Sequence, residues 1–268
     1  MNRMSSTLSV LDQSPISQGA VGGDALRNSI DLAQLVESLG YERYWIAEHH
    51  GTPMLASAAP EILITAVAAA TSRIKVGSGG VMLPHYSPLK VAEVFSMLAA
   101  LPGGPERPEV WLLGSSAQSA IWAGQLGLPY VFADFINPAG AEIAELYRQR
   151  FVPSRRREKP FVGVAVSVVC AESDDEAQHL ASSSRMAMTL LRQGHLIPVP
   201  PVETALAFFE EQPPPTGRRA VVGSAKTVRA GIEDVVASYG ADEAMIVTIT
   251  YDHQARRRSY ELVAGAFR

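Results

Sequence analysis

Residues 8–47, LSVLDQSPISQGAVGGDALRNSIDLAQLVESLGYERYWIA, decide the fold. The stretch opens on a short apolar run, 8–12, that ends in the turn-forming residues Gln13-Ser14-Pro15. Apolar side chains then recur at Leu26, Ile30, Ala33, Leu35, Val36 and Leu39, the spacing of one helix face. Gly40 ends that helix, and a second apolar run, 41–47, follows at once. Strand, helix and strand in this order begin a parallel sheet.

The rhythm continues outward from there. Residues 60–70 read as a helix with Pro60 tolerated in its first turn, 74–83 as a glycine-bearing strand and 88–101 as a third helix. Strands at 109–113, 130–133 and 161–171 alternate with helices at 117–125, 138–150 and from Asp174-Asp175-Glu176 to about Arg192. Residues 194–215 are proline-rich around one helical stretch, 202–211. A helix at 225–239 that Ser224 could cap, a strand at 244–250 and a helix at 254–267 complete the chain. The strands are apolar on both faces, as strands covered by helices must be. Two closures fit, an open doubly wound sheet and a barrel. The first strand lacks the G-x-G-x-x-G turn of a dinucleotide-binding sheet, which favours the barrel. A (βα)8 barrel needs eight strands, and only seven are evident. The third helix runs through Pro102-Gly103-Gly104-Pro105 almost directly into the next strand, so one βα unit is absent there.

The chain has 268 residues, 47% of them apolar, enough for a single barrel domain spanning 1–268 with a sizeable core. A net charge of −4 gives no broad reason to bind nucleic acid or an anionic membrane. The runs Arg155-Arg156-Arg157 and Arg256-Arg257-Arg258 read as solvated faces. The single cysteine, Cys170, lies in an apolar run and reads as buried and inert, which suits a cytosolic protein. Neither a signal peptide nor a long apolar span is evident in the sequence.

Active sites of such barrels lie where strands end. Glu48-His49-His50 follows the second strand, Pro84-His85-Tyr86 the third, Gly114-Ser115-Ser116 the fourth, and Tyr251-Asp252-His253 the last. Three histidine-bearing strand ends facing one mouth point to catalysis. Adjacent histidines on a strand point to opposite faces, so His49 and His50 do not readily share a metal ion, and no H-x-x-x-H helix supports one. A histidine general base or hydrogen-bond donor fits better; the plain alternative is a packed histidine with a satisfied ring. Gly114-Ser115-Ser116-Ala117-Gln118-Ser119 turns a strand into a helix, where backbone N–H groups attract phosphate and Ser116 and Ser119 add hydroxyls. Simple helix capping explains the same residues. Val76-Gly77-Ser78-Gly79-Gly80-Val81 leaves missing volume against which a flat cofactor could lie, or marks a tight barrel interior.

Together these segments resemble the bacterial luciferase-like, flavin-dependent monooxygenase family. Tyr44-Trp45-Ile46-Ala47-Glu48-His49-His50 resembles its W-x-x-E-H-H segment, and the run from Val76 to Met82-Leu83-Pro84 its third strand. Val110-Trp111-Leu112-Leu113-Gly114-Ser115-Ser116 and Leu126-Gly127-Leu128-Pro129 resemble its phosphate-side strand and helix. The opening Leu8-Ser9-Val10-Leu11-Asp12-Gln13-Ser14-Pro15 is similar to a single-component subgroup, some of whose members serve bacterial polyketide pathways and antibiotic biosynthesis.

The resemblance implies a TIM-like barrel that uses reduced FMN and O2 to oxygenate a small organic substrate. His49 takes the place of the catalytic histidine, and Glu48, Ser78, Gly79, Gly80, Gly114, Ser115, Ser116 and Ser119 fall in the cofactor-binding regions. Gly79-Gly80 falls where the family has a non-prolyl cis peptide beside the flavin ring. A separate flavin reductase and a homodimer formed through helices 60–70 and 88–101 are implied as partners. Alternatives from the same resemblance are a deazaflavin-dependent oxidoreductase and a non-catalytic flavin-binding protein. One departure stands out. Relatives carry a further strand after the third helix, ending in a glycine-arginine segment whose arginine binds the FMN phosphate. Here it is missing between Leu101 and Glu106. Because losing a core strand bares two strand edges, the expectation is that residues belong at this junction which the 268-residue sequence lacks, rather than that the chain is naturally short.

Overall fold

The computed structural model describes residues 7–101, 104, 107–212 and 220–268. Seven parallel strands form one curled sheet: β1 (Thr7–Asp12), β2 (Arg43–Ile46), β3 (Lys75–Ser78), β4 (Leu112–Gly114), β5 (Tyr130–Ala133), β6 (Val162–Ala171) and β8 (Glu243–Val247), in the spatial order β3-β2-β1-β8-β6-β5-β4. A further short strand, β7 (Val221–Ser224), pairs with the outer half of β6 off this path. The helices are α1 (Gly22–Leu39), α2 (Pro60–Ala70), α3 (Pro88–Ala100), α4 (Ala117–Gln125), α5 (Ala141–Arg150), α6 (Asp174–Arg192), α7 (Val202–Glu211), α8 (Ala225–Tyr239) and α9 (His253–Phe267). The architecture is a TIM-like barrel open along one seam. Among the described residues β3 and β4 are not paired, and the seam between them is where the sequence lacks a unit. Residues 102–103 and 105–106, the junction itself, lie outside the described residues.

Alternation along the strands divides the core in two. Val10, Tyr44, Ile46, Val164, Val166 and Ile246 point outward and pack under the helices in the main cluster. Leu11, Ala47, Val131, Ala165, Met245 and Val247 point inward, with Trp45, Trp111 and Leu113 packed against them. The Trp45 and Trp111 rings meet edge to face at 5.3 Å, bringing β2 toward β4 inside the barrel. A third cluster of Met54, Leu55, Ala187, Val199 and Ile249 closes one side of the carboxyl end. Gly40 ends α1 in the left-handed region at φ 88°, as the sequence indicates. Burial pushes the Cys170 thiol up to about 11, in keeping with an inert side chain. No helix among the described residues is long and apolar enough to cross a membrane.

Several boundaries differ from the sequence reading. The strand expected over 74–83 stops at Ser78, whose hydroxyl turns back onto the Gly80 carbonyl at 2.6 Å, and a 3-10 turn (Leu83–His85) follows. The strand expected over 109–113 shrinks to Leu112–Gly114, since an edge strand has a neighbour on one side only to pair it. The last strand ends at Val247 because the Thr248 carbonyl is taken by the Arg256 Nε–H at 2.9 Å. The α5 helix starts at Ala141, not 138, after Asn137 Oδ1 accepts from the Ala139 N–H. Ser224 sits at the N-cap of α8, but its hydroxyl pairs with Thr227 Oγ1 instead of a helix N–H. The triple-arginine run at 256–258 is not a solvated face. Arg256 is 2% exposed and ion-paired with Asp12, Arg257 pairs with Asp31, and only Arg258 projects outward, to Glu172.

Candidate active site

The site begins where β2 leaves the sheet. The Ala47 N–H bonds the Asp12 carbonyl and the Gly79 N–H the Ile46 carbonyl, so the ladder holds Glu48, His49 and His50 at the carboxyl end of the barrel. Glu48 is 6% exposed and its carboxylate is a hub. Oε2 accepts from the Met82 N–H at 2.9 Å, while Oε1 accepts from His50 Nε2 at 2.6 Å and from the Tyr86 hydroxyl at 2.8 Å. Burial pushes this carboxyl up, but those hydrogen bonds and the neighbouring His50 outweigh it and hold it below the usual range. Glu48 is therefore ionised at neutral pH, and His50 donates to it. The His50 ring also lies 4.7 Å from the His85 ring.

His49 differs from its neighbour. Its backbone N–H bonds the Ser57 carbonyl at 2.8 Å, and its ring is half-buried. Burial, then the adjacent His50, lower its pKa below the ordinary histidine value, so the imidazole is neutral at pH 7. His49 Nδ1 and Trp45 Nε1 are both buried without a hydrogen-bond partner among the described residues. Trp45 and Ala47 pack in the inner cluster of the barrel, and His49 follows them just past the end of β2. Two orphaned polar atoms at one strand end, each costing about 1–3 kcal/mol, mark a place where something polar is to be received.

Across the ladder, Gly77 and Gly79 are already filled against: a Cβ would stand 2.9 Å from the Trp45 ring and 2.3 Å from Leu11 respectively. Gly80 has no atom within 4 Å of that position, so open space lies beside it. The cis peptide expected at Gly79-Gly80 is absent; every peptide bond among the described residues is trans. Nothing crowds Gly80 out of the trans form, which non-prolyl bonds favour by about 3–4 kcal/mol.

On the other side of the seam, Gly114 ends β4 and Ser116 caps α4, accepting from the Ser119 N–H at 3.3 Å. Ser119 Oγ donates to the Ser116 carbonyl at 2.7 Å and shares a bond with the Tyr130 hydroxyl at 3.0 Å. Ser115 is half-buried between them. The two hydroxyls are thus spent on the helix end, and the anion-attracting feature left is the helix N-terminus itself. Among the described residues no Arg or Lys side chain makes a hydrogen bond or ion pair to this turn.

The structure joins Glu48, His50, His85 and Tyr86 in one cluster but not His253. That residue opens α9, where Asp252 caps the helix, and its ring is turned to Asp31 of α1 at 2.7 Å. So two histidine-bearing strand ends meet, not three. Tyr86 is the group sequence reasoning missed, although it stands beside His85 in a strand-end segment already singled out. Among the described residues no group of three or more His, Cys, Asp or Glu is placed to hold a metal ion. A surface concavity of about 310 Å³ lined by Glu37, Ser38, Arg73 and Lys75 lies at the opposite end of the strands and takes no part.

Residues 1–105 and 100–243 match the family described as luciferase-like monooxygenase. Over 331 aligned positions the chain is 35% identical to "Uncharacterized protein YceB" of Bacillus subtilis (strain 168), covering 97% of this chain and 99% of that one. It is 34% identical to a luciferase-like monooxygenase of Escherichia coli (strain K12), covering 95% of each. The crystal structure of apo-MsnO8 shares 37% identity and superposes with a TM-score of 0.92, covering 98% of this chain and 97% of that one. The chain belongs to the luciferase-like monooxygenase family, and it is an oxidoreductase of that family. An alignment of 331 positions against a chain of 268 residues leaves at least 63 positions of the Bacillus protein without a counterpart. The family match breaks in two at the same junction that the strand count indicates.

Proposed function

We propose that the protein is a monooxygenase that uses reduced FMN and O2 to oxygenate a small organic substrate, with His49 as its catalytic histidine. The observation that carries this reading is the pair of orphaned buried atoms, His49 Nδ1 and Trp45 Nε1, at the carboxyl end of β2, one strand away from the open space at Gly80. A planar heterocycle with carbonyl and ring-nitrogen groups would satisfy them. The Ser115–Ser116 turn and the α4 N-terminus would take its phosphate. When bound, the reduced flavin supplies the electron pair with which O2 is divided between product and water. His49, neutral at pH 7, holds or accepts a proton at Nδ1; Glu48, Ser78, Gly79 and Gly80 hold the wall on which the ring rests, and Gly114 and Ser119 shape the phosphate turn.

Relatives support the reading. A structure of the oxygenating constituent of 3,6-diketocamphane monooxygenase in complex with FMN shares the fold at TM-score 0.73 and 18% identity. An 82-residue stretch is 37% identical to 4-hydroxyprotoasukamycin monooxygenase of Streptomyces nodosus subsp. asukaensis, which favours a substrate of secondary metabolism. The first strand carries no nicotinamide-binding turn, so a separate cytosolic reductase delivers the reduced flavin. The outer faces of α2 and α3 expose Ile62 and Leu89 at 70% and 68%, the surface for a homodimer.

Anaerobic titration with reduced FMN, followed by an oxygenation assay with an added flavin reductase, tests the proposal. Weak binding, in the range of about 0.1–1 mM, is expected because the phosphate turn lacks a paired cation. Loss of oxygenation in His49→Ala with unchanged thermal unfolding is expected too, and His50→Ala should cost less. The acid limb of kcat/KM should fall below about pH 6.5, because burial lowers the His49 pKa and the neutral form persists to lower pH. No binding up to millimolar flavin sinks the proposal; binding without oxygenation leaves a flavin-binding protein, and selective binding of a deazaflavin leaves the deazaflavin enzyme.

A further inference from the structure

We propose that Tyr86 is a positioning residue for this reaction, acting through Glu48 on His50. The inference rests on the monooxygenase reading and goes beyond it to a residue with no role there. The Tyr86 hydroxyl and the His50 Nε2–H converge on one oxygen, Glu48 Oε1, at 2.8 and 2.6 Å, and the Met82 N–H holds the other at 2.9 Å. A buried carboxylate gripped from three points cannot swing. It therefore fixes the edge of the His50 ring that it meets, and the His85 ring, 4.7 Å away, limits the plane. With Nε2–H committed to Glu48, the neutral form of His50 has its acceptor at Nδ1, so the hydroxyl of Tyr86 helps to select that tautomer of an exposed histidine next to His49.

Two features separate this from a packing role. Tyr86 belongs to none of the three hydrophobic clusters, so removing its hydroxyl leaves the core intact. Its hydrogen bond to the Glu48 carboxylate pushes the phenol up to about 12, so the hydroxyl stays protonated and acts only as a donor to that carboxylate over the working pH range.

The test is a double-mutant cycle in the reductase-coupled oxygenation assay. Tyr86→Phe is expected to lower kcat about ten-fold, the weight of one hydrogen bond to a charged acceptor, with KM for reduced FMN changed less than about two-fold. His50→Ala is expected to lower kcat at least as much, and the double variant no further than His50→Ala alone. A wild-type kcat in Tyr86→Phe, or losses that multiply in the double variant, would overturn the proposal. A second readout needs no turnover: ring-nitrogen NMR of His50 is expected to show the Nε2–H tautomer in the wild type and a mixture in Tyr86→Phe. If the wild type does not oxygenate, the functional reading fails and this NMR comparison decides on Tyr86 by itself; an unchanged tautomer then rejects it.

Discussion

Asp12 and Arg256 meet at 2.6 Å with side chains 0% and 2% exposed, and each is held a second time. Asp12 accepts from the Tyr44 hydroxyl at 2.5 Å and the Ser14 N–H at 2.7 Å, and Arg256 donates from Nε to the Thr248 carbonyl. Burial pushes the Asp12 carboxyl up, yet Arg256 and the hydroxyls of Ser29 and Tyr44 overcome it and leave the pKa lowered. A carboxyl depressed on folding stabilises the protein above its unfolded value of about 3.9, and that contribution is lost as pH falls through the folded value. Arg256→Ala is expected to cost about 3–5 kcal/mol in urea unfolding at pH 7, because it strands a buried charge. Much of that difference should vanish near pH 2, where Asp12 is protonated in the unfolded chain; a loss under about 1 kcal/mol at pH 7 would show the pair to be dispensable. The pair was legible in part. Arg256, Tyr260, Val263 and Ala264 share the buried face of α9 at helical spacing, so the periodicity marks Arg256 as inward even though the three-arginine run suggests solvent. Its partner, 244 positions away at the end of β1, leaves no such trace. The Glu48 hub follows the same logic, since Glu48-His49-His50 is conspicuous while its tie to Tyr86 across 38 positions is a product of the fold.

Among the elements, the start of α4 shows how a strand end becomes a ligand turn. A Cβ on Gly114 would stand 2.3 Å from Ser119 Oγ and 2.6 Å from Ser119 Cβ, atoms fixed by the first helical turn. Gly114→Ala must push that turn aside. A stability loss of about 1–3 kcal/mol is expected, with weaker binding of reduced FMN or of inorganic phosphate, measurable by urea unfolding and calorimetric titration. An unchanged affinity would remove this turn from the phosphate site. Helices at this scale are legible nearly to the residue, because their apolar periodicity persists over several turns: 60–70, 117–125, 202–211 and 225–239 stand as read. Strands are less so. An apolar run does not reveal where pairing stops, and β3 stops at a serine turn inside such a run. The four-residue β7 is too short to show a period, and only the overhang of the long β6 gives it a partner.

The whole molecule is shaped by its seam. β3 and β4 are the two ends of the sheet path, and α3, which should be half-covered, buries none of its residues. Met97, Leu101 and Val110 are 66%, 42% and 48% exposed, and all three flank the junction where the family match breaks in two. The broken βα rhythm at Pro102 to Pro105 made the missing βα unit legible in the sequence, as did the count of seven strands. What the sequence could not show is that Trp45 and Trp111 meet across the barrel interior, which lets the remaining seven strands keep their curl. Restoring the unit should therefore add to a frame that already exists. A chimera carrying the corresponding segment of the Bacillus relative between Leu101 and Arg107 pairs both strand edges and covers these three side chains. At roughly 1.5–3 kcal/mol for each side chain fully buried, partial cover still gives a few kcal/mol, or a rise of roughly 6 °C or more in Tm. If the restored segment also returns a cation to the phosphate turn, reduced FMN should bind at least about ten-fold more tightly, the effect of one charge-assisted hydrogen bond. Calorimetry and anaerobic titration on the two proteins measure both effects. A higher Tm with unchanged flavin affinity would make the missing unit purely structural; no change in either would mean that the seven-stranded barrel closes its seam by another route.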